Sequence, residues 1–204
     1  MNYFYPFFIS FILIFLSELG DKTQLLVLSF STKDKAKNIL LGVAIGTFFS
    51  HGLAILFGSK LGNFQNDTFQ FYSELFTYCS FLLFGIWGFL PQKEKSDNSK
   101  SSILEKIASS KLNYIFIIAF SIMIGELGDK TFLASLGLGL QYPNYRISLI
   151  FGSILGMVAS NSIALFFGKI LGNKLNPRFI EILSNILFII FGLIGIFNLF
   201  FVTG

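Results

Sequence analysis

Apolar residues fill long stretches of this chain, and polar residues are confined mainly to short segments between them. Stretches such as Phe7–Leu16, Ile147–Phe167 and Ile182–Phe201 carry no charged residue. Runs of about 20 apolar residues match the thickness of the hydrocarbon core of a bilayer. The pattern predicts six membrane-spanning helices, at residues 5–30, 37–59, 71–90, 112–139, 146–169 and 179–201.

The overall composition agrees with an all-α, polytopic membrane protein. The chain is 53% hydrophobic and only 13% charged, with a mean hydropathy of +0.72, whereas a soluble domain has about 25% charged residues. The first apolar segment lacks the basic start and the small-residue cleavage site of a signal peptide, so we expect it to be the first spanning helix. The single cysteine, Cys79, excludes an intrachain disulfide and a cysteine metal site.

Lysine and arginine residues lie unevenly on the two sides of the predicted bundle. Of the 15, three fall in residues 33–37, five in 93–111 and three in 169–178, all on one side, whereas only Lys60 and Arg146 fall on the other. The positive-inside rule makes the lysine-rich side cytoplasmic. Both termini are then non-cytoplasmic, in a multi-pass protein of a bacterial plasma membrane or a thylakoid-type membrane.

The two halves of the chain repeat each other. The sequence ELGDKT occurs at residues 18–23 and again at 126–131, and ALFFGKILGN at 164–173 resembles AILFGSKLGN at 54–63. Helices 1–3 therefore correspond to helices 4–6, and because three is an odd number the second half must enter the membrane inverted, as in many transporters. The predicted units are a first three-helix repeat at 1–90, a cytoplasmic linker at 91–111 and a second, inverted three-helix repeat at 112–204.

The repeated motif places acidic residues in the middle of two apolar spans. Glu18 and Asp21 are three residues apart, so on a continuous helix both carboxylates lean to one face, and Glu126 and Asp129 repeat this spacing. Charged residues at that depth are costly and face a polar cavity or a partner. Inverted symmetry brings the two motifs together, so we expect four carboxylates at one site. Carboxylate oxygens favour hard divalent cations such as Mn²⁺ and Ca²⁺.

The charge of the motifs also predicts coupling to protons. Four acids with Lys22 and Lys130 sum to −2, which one divalent cation or two protons would neutralise. We therefore expect the four acids to bind metal and protons in turn, while the two lysines balance the empty site. The simpler interpretation of the lysines, compatible with this one, is an ion pair with the glutamate four residues earlier on the same helix.

Several neighbouring residues have two interpretations each. Gly20 and Gly128 either let the helix unwind or only allow close packing. Thr23 and Thr131 direct their hydroxyls either to the ion or to the helix backbone. Gln24 lies three residues after the first motif aspartate and is a predicted further ligand, one that only the first half supplies because its counterpart is a phenylalanine.

Polar residues of helices 2 and 5 are candidates for a place beside the site. His51 and its counterpart Asn161 either make interhelical hydrogen bonds or support the site, where histidine can change charge near neutral pH. The same helices carry glycines at small-xxx-small spacing, which predicts close helix contact. These pairs are Gly42/Gly46, Gly58/Gly62, Gly152/Gly156 and Gly168/Gly172.

With ELGDKT in helices 1 and 4 of a six-span chain, the sequence resembles a family of membrane proteins marked by Glu-x-Gly-Asp-Lys-Ser/Thr. That family includes the Golgi manganese and calcium transporters of yeast and animals and manganese transporters of chloroplasts and cyanobacteria. The resemblance implies exchange of Mn²⁺ or Ca²⁺ for protons, with Glu18, Asp21, Glu126 and Asp129 binding the cation. The central loop departs from many relatives because it is net basic rather than acidic.

We therefore expect a secondary transporter that exports a divalent cation, Mn²⁺ first and Ca²⁺ second, from the cytoplasm in exchange for protons. The alternatives are an exporter of a small organic cation such as lysine, a cation channel with an acidic ring, and a non-transporting assembly factor. No Walker loop, Ser–His–Asp arrangement or HExxH pattern is visible. We thus expect neither an enzyme nor a resident cofactor, and the partners are the bilayer and the transported ions rather than nucleic acid.

Overall fold

The protein is helical throughout the part that the structure describes. The computed structural model describes residues 3–19, 21–31, 34–63, 67–89, 113–171 and 177–201. The helices are α1 (Phe4–Glu18), α2 (Lys22–Phe30), α3 (Ala36–Thr47), α4 (Leu53–Gly62), α5 (Asp67–Trp87), α6 (Tyr114–Glu126), α7 (Lys130–Gln141), α8 (Arg146–Leu171) and α9 (Pro177–Phe201). A π-helical turn, Phe48–Gly52, joins α3 to α4, and a 3₁₀ turn, Pro143–Tyr145, precedes α8. The predicted linker 91–111 lies outside the described residues.

Two of the predicted spans are not continuous helices. The expected helix 5–30 is divided into α1 and α2, and the expected helix 112–139 is divided in the same way into α6 and α7. The hydropathy pattern does not reveal this division, because apolar length says nothing about a local break. Both breaks fall within the repeated motif, where glycine weakens the helix and aspartate is a favoured first-turn cap.

Helix length and apolarity identify a smaller number of spans than the hydropathy pattern. Among the described residues, Ala36–Gly62 and Pro143–Phe166 are each long and apolar enough to cross a bilayer. Two further apolar helices, Phe4–Glu18 and Tyr114–Glu126, are shorter than that, and so is the apolar stretch Asn185–Phe201 within α9. The two shorter helices are the ones that end at the motif breaks.

Each half of the chain packs against the other half through glycines. A Cβ added at Gly42 or Gly46 of α3 would collide with α6, whereas one added at Gly152 or Gly156 of α8 would collide with α1. The contacts correspond residue by residue, because Ile115 and Ala119 of α6 are the counterparts of Phe7 and Phe11 of α1. The predicted close contact at these glycines is confirmed, as it is at Gly58 and Gly62 against α7. Gly172 lies outside the described residues, and the structure describes no surroundings for Gly168.

The third helices of the two halves, α5 and α9, pack directly against each other. Phe81 and its counterpart Phe188 are both buried, and their ring centroids lie 5.8 Å apart. Gly85 and its counterpart Gly192 each face a side chain of the opposite helix. Counterpart residues therefore meet at this contact, and the core extends from it toward α1, α3 and α6.

The glycine contact between α3 and α6 gives a prediction for stability. In Gly46→Ala the new Cβ would lie 2.6 Å from the carbonyl oxygen of Ala119, so the helices must separate at a cost of about 1–3 kcal/mol. Gly52→Ala is the matched control, because the nearest atom to its Cβ, in Phe48, is 3.4 Å away. We expect Gly46→Ala to lower the midpoint of thermal unfolding in detergent and Gly52→Ala to leave it nearly unchanged. Equal midpoints for the two variants would contradict this packing.

Candidate functional site

The motif forms a short extended break between two helices in both halves of the chain. Leu19 and Leu127 each end a helix in an extended conformation, and Asp21 and Asp129 each begin the next helix with the same dihedral angles, φ −78° and ψ 166°. Gly128 between them has a positive φ of 79°, which favours glycine. Gly20 lies outside the described residues. The interpretation of Gly128 as a point of unwinding is therefore correct.

The break changes how the acids of each motif come together. The expectation that Glu18 and Asp21 share one face of a continuous helix was wrong, and so was the same expectation for Glu126 and Asp129. In each half the glutamate is the last residue of one helix and the aspartate occupies the N-cap position of the next, without a side-chain capping hydrogen bond. The breaks thus bring helix ends to the site, where the carbonyl groups at the ends of α1 and α6 carry partial negative charge.

The structure nevertheless gathers all four acids and His51 in one place. Glu18, His51 and Glu126 each offer a ligand atom within 4.8 Å of the atoms offered by the other two. Glu18, Asp21 and Asp129 form a second group that meets the same limit. Because Glu18 belongs to both groups, the two motifs form one cluster that draws on both halves of the chain.

The cluster has a buried part and a more accessible part. Glu18, Glu126 and His51 are at most 1% exposed, whereas Asp21 and Asp129 are half-buried. One oxygen of each glutamate, Oε1, is buried with no hydrogen-bond partner among the described residues. An ionised carboxylate in that position is costly unless a cation or a proton compensates it.

A threonine hydroxyl contacts the glutamate in each half. Thr23 Oγ1 donates to Glu18 Oε2 at 3.2 Å, and Thr131 Oγ1 donates to Glu126 Oε2 at 3.2 Å. Thr131 also lies 3.5 Å from Asp129 Oδ2. These hydroxyls therefore cross the break to a carboxylate, which neither sequence interpretation anticipated. Each threonine thus holds the Oε2 atom of its glutamate, whereas the Oε1 atom has no hydrogen-bond partner among the described residues.

His51 and its counterpart Asn161 have different surroundings. His51 Nδ1 lies 3.0 Å from Ser50 Oγ, and Nε2 lies 4.0 Å from Glu126 Oε2. Asn161 donates from Nδ2 to the Met157 carbonyl oxygen within its own helix at 3.0 Å. Among the described residues neither side chain makes an interhelical hydrogen bond, which was one of the two interpretations, and the histidine of the first half faces the acids.

Gln24 connects the first half to the second beside the cluster. Its Nε2 donates to the Ser160 carbonyl oxygen at 3.1 Å and to Ser160 Oγ at 2.6 Å. The sequence predicts Gln24 as a possible ligand and does not reveal this contact. The unequal pairing of Gln24 with Phe132 between the two halves is the signal that marked the position. The amide nitrogen of Gln24 is thus engaged in joining α2 to α8.

The two motif lysines do not pair along a continuous helix. Glu126 ends α6 and Lys130 begins α7, so the helical spacing on which that pair depends is interrupted. Lys130 is half-buried and lies close enough for its charge to act on Glu18 of the other half. The structure describes no side-chain surroundings for Lys22.

Taken together, the site can hold a compact cation among oxygen atoms and one imidazole nitrogen. The acids supply negative charge from both halves of the chain, and one oxygen of each glutamate is buried without a hydrogen-bond partner among the described residues. The same carboxylates can take up protons when no cation is present, since like charges at this distance disfavour full ionisation. The chemistry of the cluster is therefore exchange of cations for protons without bond making in a substrate.

The dihedral angle of Gly128 gives a prediction for this break. Gly128→Ala keeps open space around the new Cβ but forces alanine into a left-handed conformation, which costs about 1–2 kcal/mol. Gly128→Asn should lose less, because asparagine visits that conformation more readily. Gly125→Ala is the control, since its Cβ would be 3.7 Å from Thr23 and its φ is not positive. Titration with SDS, followed by circular dichroism, should rank stability as Gly125→Ala, Gly128→Asn, Gly128→Ala; a reversed order would contradict the strained break.

Comparison with known proteins gives the same result as the site. The profile of one protein family, described as divalent cation/proton antiporter GDT1, matches residues 6–96 and 114–201. A Vibrio cholerae protein named "Putative manganese exporter" is 30% identical over 91% of this chain and 87% of its own length. Protein PAM71 of Arabidopsis thaliana, a chloroplastic protein, is 24% identical over 92% of this chain and 55% of its own length. The GDT1-like protein sll0615 of Synechocystis is 25% identical over 90% of this chain and 93% of its own length.

No solved structure matches the chain. The family profile covers most of both halves, and the segment it omits, 97–113, falls in the region of the predicted linker. The resemblance carried by the repeated motif is thus confirmed, and the chain belongs to the GDT1 family of divalent cation/proton antiporters, which are membrane transporters rather than enzymes.

Proposed function

We propose that this protein exports Mn²⁺ from the cytoplasm in exchange for protons, with Ca²⁺ as a second substrate. The observation that carries the proposal is the cluster of four carboxylates at two helix breaks, with Glu18 and Glu126 almost fully buried. The name of the Vibrio cholerae relative supports manganese as the first choice of ion. The ligands would be Glu18, Asp21, Glu126 and Asp129, with Gln24 as a further candidate.

The buried part of the site favours a small ion over the organic cation considered as an alternative. Ligand atoms of Glu18, His51 and Glu126 lie within 4.8 Å of one another, which is the spacing of atoms around one metal ion. An ammonium group on a carbon chain needs room for the chain as well as for its charge. The burial of both glutamates also favours a carrier with an enclosed site over an open channel.

The proposed topology is six spans in two inverted repeats, residues 1–90 and 112–204, joined by a cytoplasmic linker. The glycine contacts support it, because α3 packs on α6 as α8 packs on α1. The distribution of lysine and arginine supports a non-cytoplasmic position for both termini. Relatives in Vibrio and Synechocystis support a bacterial plasma membrane or a thylakoid-type membrane.

In the proposed mechanism the acids alternate between metal-bound and protonated states. Deprotonated carboxylates bind the cation, and Thr23 and Thr131 hold one oxygen of each glutamate by hydrogen bonds. When the cation leaves, protons neutralise the cluster, so that the empty site never holds four uncompensated negative charges. Lys130 contributes a fixed positive charge near Glu18. One repeat rocks against the other to open the site to alternate sides.

Flux of metal into proteoliposomes tests this function. We expect uptake of Mn²⁺, and more slowly of Ca²⁺, that follows an imposed pH gradient and saturates with metal concentration. Glu126→Gln removes a buried charge of the cluster and should lower Mn²⁺ flux at least about 100-fold. Glu74→Gln makes the same chemical change outside the cluster and should retain flux. Flux that ignores the pH gradient, or that survives in Glu126→Gln, would overturn the antiporter.

Competition between protons and metal predicts how affinity depends on pH. Carboxylates bind a metal ion only when they are deprotonated, so a rise in pH on the loading side should lower the apparent KM for Mn²⁺. The change is about tenfold per pH unit for each proton displaced, within the range where the cluster titrates. Initial rates between about pH 6 and pH 8, with the opposite side held constant, measure it. A KM that rises with pH would contradict competition at one site.

A further inference from the structure

We propose that His51 is a nitrogen ligand of the transported cation and that it makes the site prefer Mn²⁺ to Ca²⁺. The inference rests on the proposed exchange of a divalent cation for protons at this cluster. It adds a ligand from the π-helical turn between α3 and α4 to the acids supplied by the two motifs. Three features support it: the position of the imidazole, its available nitrogen and the absence of a histidine at the counterpart position in the second half.

The imidazole is buried inside the cluster and has one nitrogen without a partner. His51 is 0% exposed, and Nε2 has no hydrogen-bond partner among the described residues. Nε2 lies 4.0 Å from Glu126 Oε2, which is too long for a hydrogen bond. Two atoms that each lie about 2.1 Å from one ion are about 3–4.2 Å apart, so this separation suits a shared ion. Glu18 and Glu126 each offer a carboxylate oxygen to the same group of ligand atoms, and the Oε1 atom of each is buried without a partner among the described residues.

The contact with Ser50 favours the form of histidine that binds metal. Ser50 Oγ lies 3.1 Å from the Gly46 carbonyl oxygen and 3.4 Å from that of Thr47, and carbonyl oxygens can only accept. When the single hydroxyl proton goes to a carbonyl, Ser50 Oγ accepts from Nδ1 of His51, which lies 3.0 Å away. The Nε2 lone pair then faces the acids. Histidine ligands of metals are oriented in this way by a hydrogen bond from the other ring nitrogen.

The backbone around His51 is specialised in the first half alone. Residues Phe48–Gly52 form a π-helical turn, whereas the counterpart stretch of α8 is a continuous α-helix. An inserted π-turn rotates the side chains it carries relative to the rest of the helix and is frequent at functional sites. The counterpart of His51 is Asn161, whose amide nitrogen donates a hydrogen bond to a carbonyl oxygen of its own helix. The nitrogen ligand is therefore contributed once, not twice.

A nitrogen ligand discriminates between the two ions that the acids alone would accept. Ca²⁺ is bound by oxygen atoms. First-row transition ions accept imidazole as well as carboxylate, so replacing one oxygen by nitrogen costs Ca²⁺ more than Mn²⁺. Since His51 is 0% exposed and cannot turn out to solvent without moving its helix, both ions must meet the same ligand set. The selectivity of the carrier then depends on this single side chain.

The chain contains only one histidine, which makes a direct spectroscopic test possible. The full chain, purified with an affinity tag that contains no histidine, is loaded with Mn²⁺ in lipid nanodiscs. Pulsed electron paramagnetic resonance is then recorded on protein grown with ordinary histidine and with ¹⁵N-histidine. We expect nitrogen couplings to bound Mn²⁺ that change with the histidine label. Spectra that do not change with the label would overturn His51 as a ligand, and no substitution is involved that could impair folding.

Selectivity is tested by His51→Asn, which copies the residue of the second half, and by His51→Gln, which keeps more of the volume. In proteoliposomes we expect KM for Mn²⁺ to rise at least about tenfold and KM for Ca²⁺ to change less than about twofold. Equal changes for the two ions would overturn the selectivity role. Wild-type protein without proton-coupled Mn²⁺ flux would instead overturn the proposed function, whereas normal wild-type flux without a histidine label effect would overturn this inference alone.

Discussion

The cost of holding several carboxylates together away from water governs this structure. Glu18 and Glu126 are buried within reach of each other, and each has an oxygen that no described group satisfies. Such a cluster is tolerated only when a cation or protons are bound, because uncompensated buried charge costs several kcal/mol. The cost of uncompensated buried charge therefore destabilises the ion-free cluster. It also explains why the cluster exchanges one kind of cation for another.

The helix breaks show how the sequence meets that constraint. A glutamate at the end of one helix and an aspartate at the start of the next place both acids beside backbone groups that are not used within a helix. The aspartates occupy the N-cap positions of α2 and α7, where negative charge is favourable. Thr23 and Thr131 then fix the glutamates across the break. Six residues thus provide charge, helix termination and orientation, and the chain uses them twice.

Close packing between the halves holds the two breaks together. Glycines on α3 and α8 let α6 and α1 approach so closely that no side chain fits between them. Gly42 and Gly46 lie in α3, just before the π-helical turn that carries His51. The segment that leads to His51 therefore also positions α6, the helix that ends at Glu126. Geometry at the cluster therefore depends on contacts made one or two turns away from it.

The sequence allowed prediction of the helical class, the repeated halves, the glycine contacts and the meeting of the two motifs. These follow from patterns that extend over many residues or occur twice. It did not allow prediction of the break between Glu18 and Asp21, because glycine is compatible with both a packed helix and an unwound one. It also did not reveal the contact of Gln24 with Ser160, since a pair 136 positions apart leaves no local pattern.

That last contact has a consequence for the resting position of the carrier. Gln24 of the first half holds Ser160 by two hydrogen bonds, but the counterparts of these residues are Phe132 and Ser50. If the two halves exchange conformations during transport, phenylalanine takes the place of glutamine and has nothing to donate. A buried hydrogen bond contributes about 0.5–1.5 kcal/mol. In the proposed mechanism the two end states would then differ in energy by this contact, which favours the state in which Gln24 holds Ser160.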